Sequence, residues 1–192
     1  TPVPRPPRLP LSPAQERLWL LHELDPASVA YNYPLLLRVR GAVDADAFTA
    51  ALTDVVDRHE VLRTLVVEGP EQRVLEHAVP EVDVTDAPAR DTEAVVAAAI
   101  ARPFALSSQI PVRATLVRET DTGDTVVALV LHHTAVDEWS DRPLLADLDT
   151  AYHARCRGAA PEFPPLPVQY ADYALWHRDQ LGSPDDPDSR CS

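Results

Sequence analysis

The stretch Thr125-Val-Val-Ala-Leu-Val-Leu131-His132-His133-Thr134-Ala135-Val136-Asp137 decides how this chain is read. An unbroken apolar run of strand formers ends in two histidines, so burial stops where polar chemistry begins. Side chains alternate across a strand, which sends His132 and His133 to opposite faces of a sheet and denies them a shared task. Neighbours on opposite faces are also poor co-ligands for one metal. His22, His59, His77, His153 and His177 show no ligand spacing, so no metal site is expected. One imidazole is expected to be buried and hydrogen-bonded, the other to face a cleft, where an ordinary pKa near about 6.5 suits proton transfer at neutral pH. Parity alone leaves open which is which. Asp137 has two readings: a carboxylate that orients a histidine, or the partner of an arginine that fixes the loop.

Outward from this strand, Val112 to Glu119 precedes it across Asp121-Thr122-Gly123-Asp124, which predicts a hairpin. Ser140 is expected to cap a helix reaching about Arg157. After a proline cluster at 161–167, Tyr170 to Leu181 reads as a short helix with Tyr170, Tyr173 and Trp176 on a buried aromatic face. On the N-terminal side, Ser12, Pro13 and Gln15 make a helix start with a capping box, and the helix should run to about Leu24. Tyr33 to Arg40 reads as a strand, and Asp44 caps a helix with apolar Phe48, Leu52, Val55 and Val56. Val61 to Val67 and Val74 to His77 flank Gly69-Pro70 as a further hairpin, and Asp91 caps an Ala-rich helix. Strands interleaved with helices, several joined by hairpins, predict an α/β fold with a mixed sheet packed with helices.

The 192 residues carry 17 Lys+Arg against 30 Asp+Glu, a formal net charge of −13 that repels phosphate backbones and anionic bilayers. Nucleic-acid and membrane-surface roles are therefore not expected. No apolar run reaches the roughly 20 residues of a membrane span, and Thr1 to Pro10 lacks the apolar centre of a signal peptide, so a soluble, cytoplasmic protein is expected. Cys156 and Cys191 lie in no ligand or disulfide pattern. Without a GxGxxG or GxxxxGK[ST] there is no support for nucleotide chemistry, and without GxSxG none for a serine nucleophile. Residues 1–10 are Pro-rich and read as an extended interdomain linker, 11–182 as the folded unit, and 183–192 as a polar tail or cut linker. The absence of any Met predicts a piece of something longer.

Four stretches in order, Ser12-Pro-Ala-Gln-Glu-Arg-Leu-Trp-Leu20, Arg58-His-Glu-Val-Leu-Arg-Thr64, His132-His-Thr-Ala-Val-Asp137 and Tyr170-Ala-Asp-Tyr-Ala-Leu-Trp176, resemble the first four signature motifs of nonribosomal peptide synthetase condensation domains. The resemblance implies the chloramphenicol acetyltransferase-like fold, here its N-terminal lobe, with a C-terminal lobe outside this chain and the active site at the junction. It implies amide-bond formation between a donor acyl thioester and an acceptor aminoacyl thioester. Upstream and downstream carrier domains would bring these on phosphopantetheine arms, and the domain itself would bind no cofactor. By the same resemblance His133 is the catalytic histidine, His132 its inward structural neighbour, and Asp137 an architectural residue paired with Arg63. Leu11 to Gln15 behind the Pro-rich tether resembles the subtype that uses an L-configured donor.

One position departs from the family pattern: Glu138 stands where Gly is usual. Glutamate adds a Cβ, bulk and negative charge where a glycine backbone N–H comes close to a reacting oxygen. With His133 and Asp137 retained, a tolerant loop with the carboxylate turned away is the favoured reading. The alternative is a non-catalytic condensation-like module that recruits carrier proteins or tailoring enzymes. A free-standing acyltransferase using a soluble thioester ranks third. A single lobe by itself is expected to be inactive or nearly so, because half a tunnel cannot clamp both substrates.

Overall fold

The computed structural model of the chain describes residues 4–137 and 139–181. Leu9–Pro10 form a two-residue strand, β1, before helix α1 (Pro13–Leu24), which opens with the expected capping box: the Ser12 side chain accepts from the Gln15 N–H while the Gln15 side chain accepts from the Ser12 N–H. Strand β2 (Asn32–Val39) and helix α2 (Ala45–Arg58) follow, the latter capped by the Asp44 carboxylate. A turn of 3₁₀ helix over Glu60–Arg63 shortens the next strand to β3 (Thr64–Val67), joined to β4 (Glu71–Val74) through Gly69 at φ +105°, a value that favours glycine. Then come β5 (Glu81–Ala87), α3 (Thr92–Ile100), β6 (Val112–Glu119), β7 (Thr125–His132), α4 (Asp141–Cys156) and α5 (Tyr170–Leu181).

The strands make two sheets, β1-β4-β3 and a mixed sheet ordered β2-β7-β6-β5 in which only β5 and β6 run parallel. Strand β7 lies inside this sheet with every residue buried, which explains its unbroken apolar composition: both of its faces are covered. Val127, Leu129 and Leu131 on one face join Val112, Ala114 and Leu116 of β6 and pack with Leu52, Val55 and Val56 of α2 and Leu144 and Leu148 of α4. On the other face, Val126 and Ala128 meet Val96 of α3, and Val130 meets Leu11, Val66, Phe104 and Leu106.

Strand β5 has no counterpart in the sequence reading. It is an edge strand of alternating acidic and apolar residues, and acidic residues are depleted in strands by propensity. Its charges are offset by arginines from elsewhere, Arg102 on Glu81 and Asp83 and Arg118 on Asp86. Two expected helix caps take another form. Asp91 and Ser140 both sit in helical backbone geometry and make no side-chain cap hydrogen bond, and the Ser140 hydroxyl turns to Asp137 instead. The aromatic face of α5 is only partly buried: Tyr170 is half-buried, whereas Tyr173 is 43% and Trp176 52% exposed among the described residues.

From Arg5 onward the N-terminal segment is fastened to the body. Arg5 pairs with Glu60 at 2.7 Å and Asp172 at 2.9 Å, and β1 is hydrogen-bonded to β4. Glu138, Cys191 and the 183–192 tail lie outside the described residues. No helix among the described residues is long and apolar enough to cross a membrane, and no three or more His, Cys, Asp or Glu side chains among them are grouped as a metal site would need.

Candidate active site

Burial resolves the histidine pair that parity left open. His132 continues the even-numbered face of β7 and is 3% exposed, in a nest of rings formed by His22, Tyr31 and Phe104. Its Nδ1 lies 3.2 Å from the Thr134 backbone N–H, which can only donate, so Nδ1 is the accepting nitrogen of a neutral ring. Burial pushes its pKa down to about 4, with His22, His133 and Arg113 adding like-charge repulsion. His132 is therefore uncharged at neutral pH and holds the turn after β7.

His133 emerges on the opposite side, half-buried, with its backbone N–H bonded to the Tyr31 carbonyl at 3.0 Å. Its Nδ1 is 3.3 Å from the Val136 carbonyl, which can only accept, so Nδ1 carries a proton, and in the neutral ring the lone pair is then on Nε2. The side chain lines a cavity of about 440 Å³ shared with His59, Val136, Asp137, Gln169, Tyr170 and Tyr173. A proton acceptor at the wall of a solvent-connected cavity is the arrangement that general-base chemistry requires.

The structure does not bring Asp137 and Arg63 together. Asp137 is exposed and accepts a hydrogen bond of 2.7 Å from the Ser140 hydroxyl, while its backbone N–H donates to the same oxygen at 3.2 Å. Arg63 turns to the backbone instead, donating to the Asp57 carbonyl at 3.3 Å and to that of Leu75. The carbonyls at the end of α2 and after β4 claim the guanidinium, so the loop after β7 is closed by Ser140 and not by an arginine.

What joins the four sequence motifs is a set of side chains that the motifs alone do not reveal. Gln15 in α1 donates to the Thr134 carbonyl at 3.1 Å, and Ser12 shares a hydrogen bond of 2.9 Å with the Tyr170 hydroxyl, so the first motif touches the third and the fourth. Gln169, directly before the fourth motif, donates to the Arg58 carbonyl at 2.9 Å and accepts from the Glu60 N–H at 3.2 Å, tying the start of α5 to the second. Asp147 of α4 gathers Arg58 at 2.8 Å and His59 at 2.7 Å, so these two residues hold long-range contacts rather than local ones. Gln169 and Asp147 carried no signal in the sequence, because both act across more than 80 positions on partners that only folding brings near.

The family described as Condensation domain matches residues 7–189. Over 98% of its length the chain is 52% identical to a probable non-canonical nonribosomal peptide synthetase, CymA, of Salinispora arenicola. It is 46% identical over 96% of its length to an isonitrile lipopeptide synthase of Mycobacterium tuberculosis. The chain spans 2% of the first relative and 8% of the second. Among solved structures, the X-domain from teicoplanin biosynthesis superposes with a TM-score of 0.86 at 35% identity, over 93% of this chain and 40% of that one. The starter condensation domain of the rhizomide synthetase RzmA, at 20% identity and a TM-score of 0.78, shares the fold. The α/β architecture expected from the motifs, chloramphenicol acetyltransferase-like, is the one observed. A match over nearly the whole length and a histidine pair split between core and cavity lead to one conclusion: the chain belongs to the Condensation domain family.

Proposed function

We propose that this chain is the His133-bearing lobe of a cytoplasmic condensation domain that joins a donor acyl thioester to the amine of an acceptor aminoacyl thioester. The observation that carries the reading is His133 at the wall of the 440 Å³ cavity with Nδ1 engaged by the Val136 carbonyl. In this reading the acceptor amine attacks the donor carbonyl, the new C–N bond forms and the C–S bond breaks. The proton lost by nitrogen passes to Nε2 of His133 and from there to the departing thiolate. A thioester is already activated, so the task is mainly positioning, where effective molarity lowers barriers by roughly 7–11 kcal/mol in favourable cases. Both substrates arrive on the phosphopantetheine arms of upstream and downstream carrier domains, and a second lobe outside this chain completes the tunnel. The 40% coverage of the X-domain chain supports that division. His132 and Asp137 act as structural residues in this scheme, and Arg63 braces the end of α2.

In the intact synthetase, His133→Ala abolishes the condensation product while substrate loading continues; equal turnover by the variant refutes the role. The other reading, a module that recruits carrier proteins or tailoring enzymes, draws on the likeness to an X-domain solved in complex with OxyB, at 35% identity and a TM-score of 0.84. Glu138→Gly separates the two: unchanged robust condensation removes the recruiting reading, and a large gain from a silent parent supports it.

A further inference from the structure

The ring of His133 is in contact with Tyr33 of β2, centroids 5.0 Å apart and planes inclined at 66°. This edge-to-face arrangement is one of the two that aromatic pairs favour. Tyr33 is itself held: its hydroxyl donates to Oδ2 of Asp141 at 2.8 Å, at the first turn of α4. The other oxygen of that carboxylate, Oδ1, is buried without a hydrogen-bond partner among the described residues. An acceptor left bare in the interior is unfavourable, so the bond from Tyr33 is the one that offsets the burial of this carboxylate among the described residues. The β2–β7 register fixes the same geometry from the backbone side, with Asn32 opposite His132, Tyr33 opposite Leu131, and the Tyr31 carbonyl accepting from the His133 N–H.

We propose that Tyr33, pinned by Asp141, is a positioning residue that fixes the rotamer and tautomer of His133. Two contacts then set the imidazole: the Val136 carbonyl takes the Nδ1 proton, and the Tyr33 ring restrains the plane so that this 3.3 Å bond persists. With Tyr33 gone, the ring is free to turn away from Val136, and the Nδ1–H, Nε2-lone-pair form loses its stabilisation. A general base must lie within hydrogen-bond reach of the proton it takes, so a small rotation of the ring lowers turnover without weakening substrate capture. The inference rests on the proposed catalytic role of His133, but its first test does not.

That test is ¹⁵N NMR of the histidine-labelled full chain, with His133 assigned by loss of its signal in His133→Ala. The parent shows the Nδ1–H tautomer, and Tyr33→Leu shifts the signal toward the Nε2–H form. Tyr33→Phe, which keeps the ring and loses the Asp141 bond, gives a smaller shift. In the intact synthetase, Tyr33→Leu lowers kcat about tenfold with KM for the carrier-bound acceptor unchanged, and Tyr33→Phe retains most of the activity. An unchanged tautomer in Tyr33→Leu overturns the inference; should that variant fail to fold, an unchanged tautomer in Asp141→Ala does so. If His133→Ala leaves condensation intact, the catalytic reading falls while the NMR result still decides on Tyr33.

Discussion

His132 and His133 are adjacent in sequence, yet their protonation follows their surroundings and not their residue type. His132 is neutral in the fold, with its pKa pushed down to about 4 chiefly by burial, whereas an unfolded histidine titrates near about 6.5. Between these values the unfolded chain binds the extra proton, so stability falls as pH drops through that window and the loss is complete below about pH 4. The contribution is of the order of 3 kcal/mol. Melting temperature measured from pH 7 to pH 4 should decline, and His132→Asn, which keeps an acceptor for the Thr134 N–H but carries no titrating proton, should flatten part of that decline. A slope identical in both proteins would show that His132 is not the group responsible.

At the scale of elements, the sequence carried most of what it needed for α1, α2 and the β6–β7 hairpin. The capping box, the apolar spacing along α2 and the turn before Thr125 are local signals, and local hydrogen bonds satisfy them. How α1 meets the site is not local. Gln15 is 3% exposed, closes the capping box with its oxygen and reaches the Thr134 carbonyl with its nitrogen. Gln15→Ala leaves both partners without their bond in the interior and should destabilise by about 1–3 kcal/mol, read from denaturant midpoints. Gln15→Glu keeps the cap but sets a buried carboxylate oxygen against the Thr134 carbonyl, and should be at least as destabilising as Gln15→Ala at neutral pH. Elements held by distant charge partners were the ones hidden from a sequence reading. The acidic residues of strand β5 pair with Arg102 and Arg118, and no pattern within 81–87 announces them.

Across the whole lobe, Glu119 connects parts that are far apart in sequence. Its carboxylate accepts from both terminal nitrogens of Arg38 on β2, from Thr122 in the β6–β7 turn and from Thr92 at the start of α3. The Arg38 hydrogen bonds, helped by those from Thr122 and Thr92, hold its pKa down at about 2 against the opposing effect of desolvation. A depressed carboxylate contributes stability that is present above its unfolded pKa, near about 4.5, and is lost as pH falls toward about 2. Glu119→Gln should therefore melt lower at pH 7 and match the parent more closely at pH 2; an equal gap at both would remove Glu119 from the acid response. The rings of Tyr173 and Trp176 mark a side of α5 that is exposed among the described residues, and Tyr173 reaches the same cavity as His133.

The sequence by itself determined the layered α/β class, the central strand and the two-sidedness of the histidine pair, because covered strands must be apolar and side chains must alternate. The same residues could not show which histidine faces the cavity, since that depends on which side of β7 receives α2 and α4. Nor could they show that Ser140, and not Arg63, takes the Asp137 carboxylate, or that Tyr33 stands against His133 with Asp141 behind it. Those contacts are set by strand register and helix packing, whose energies arise only once distant segments share a core, and only the tertiary structure decided them.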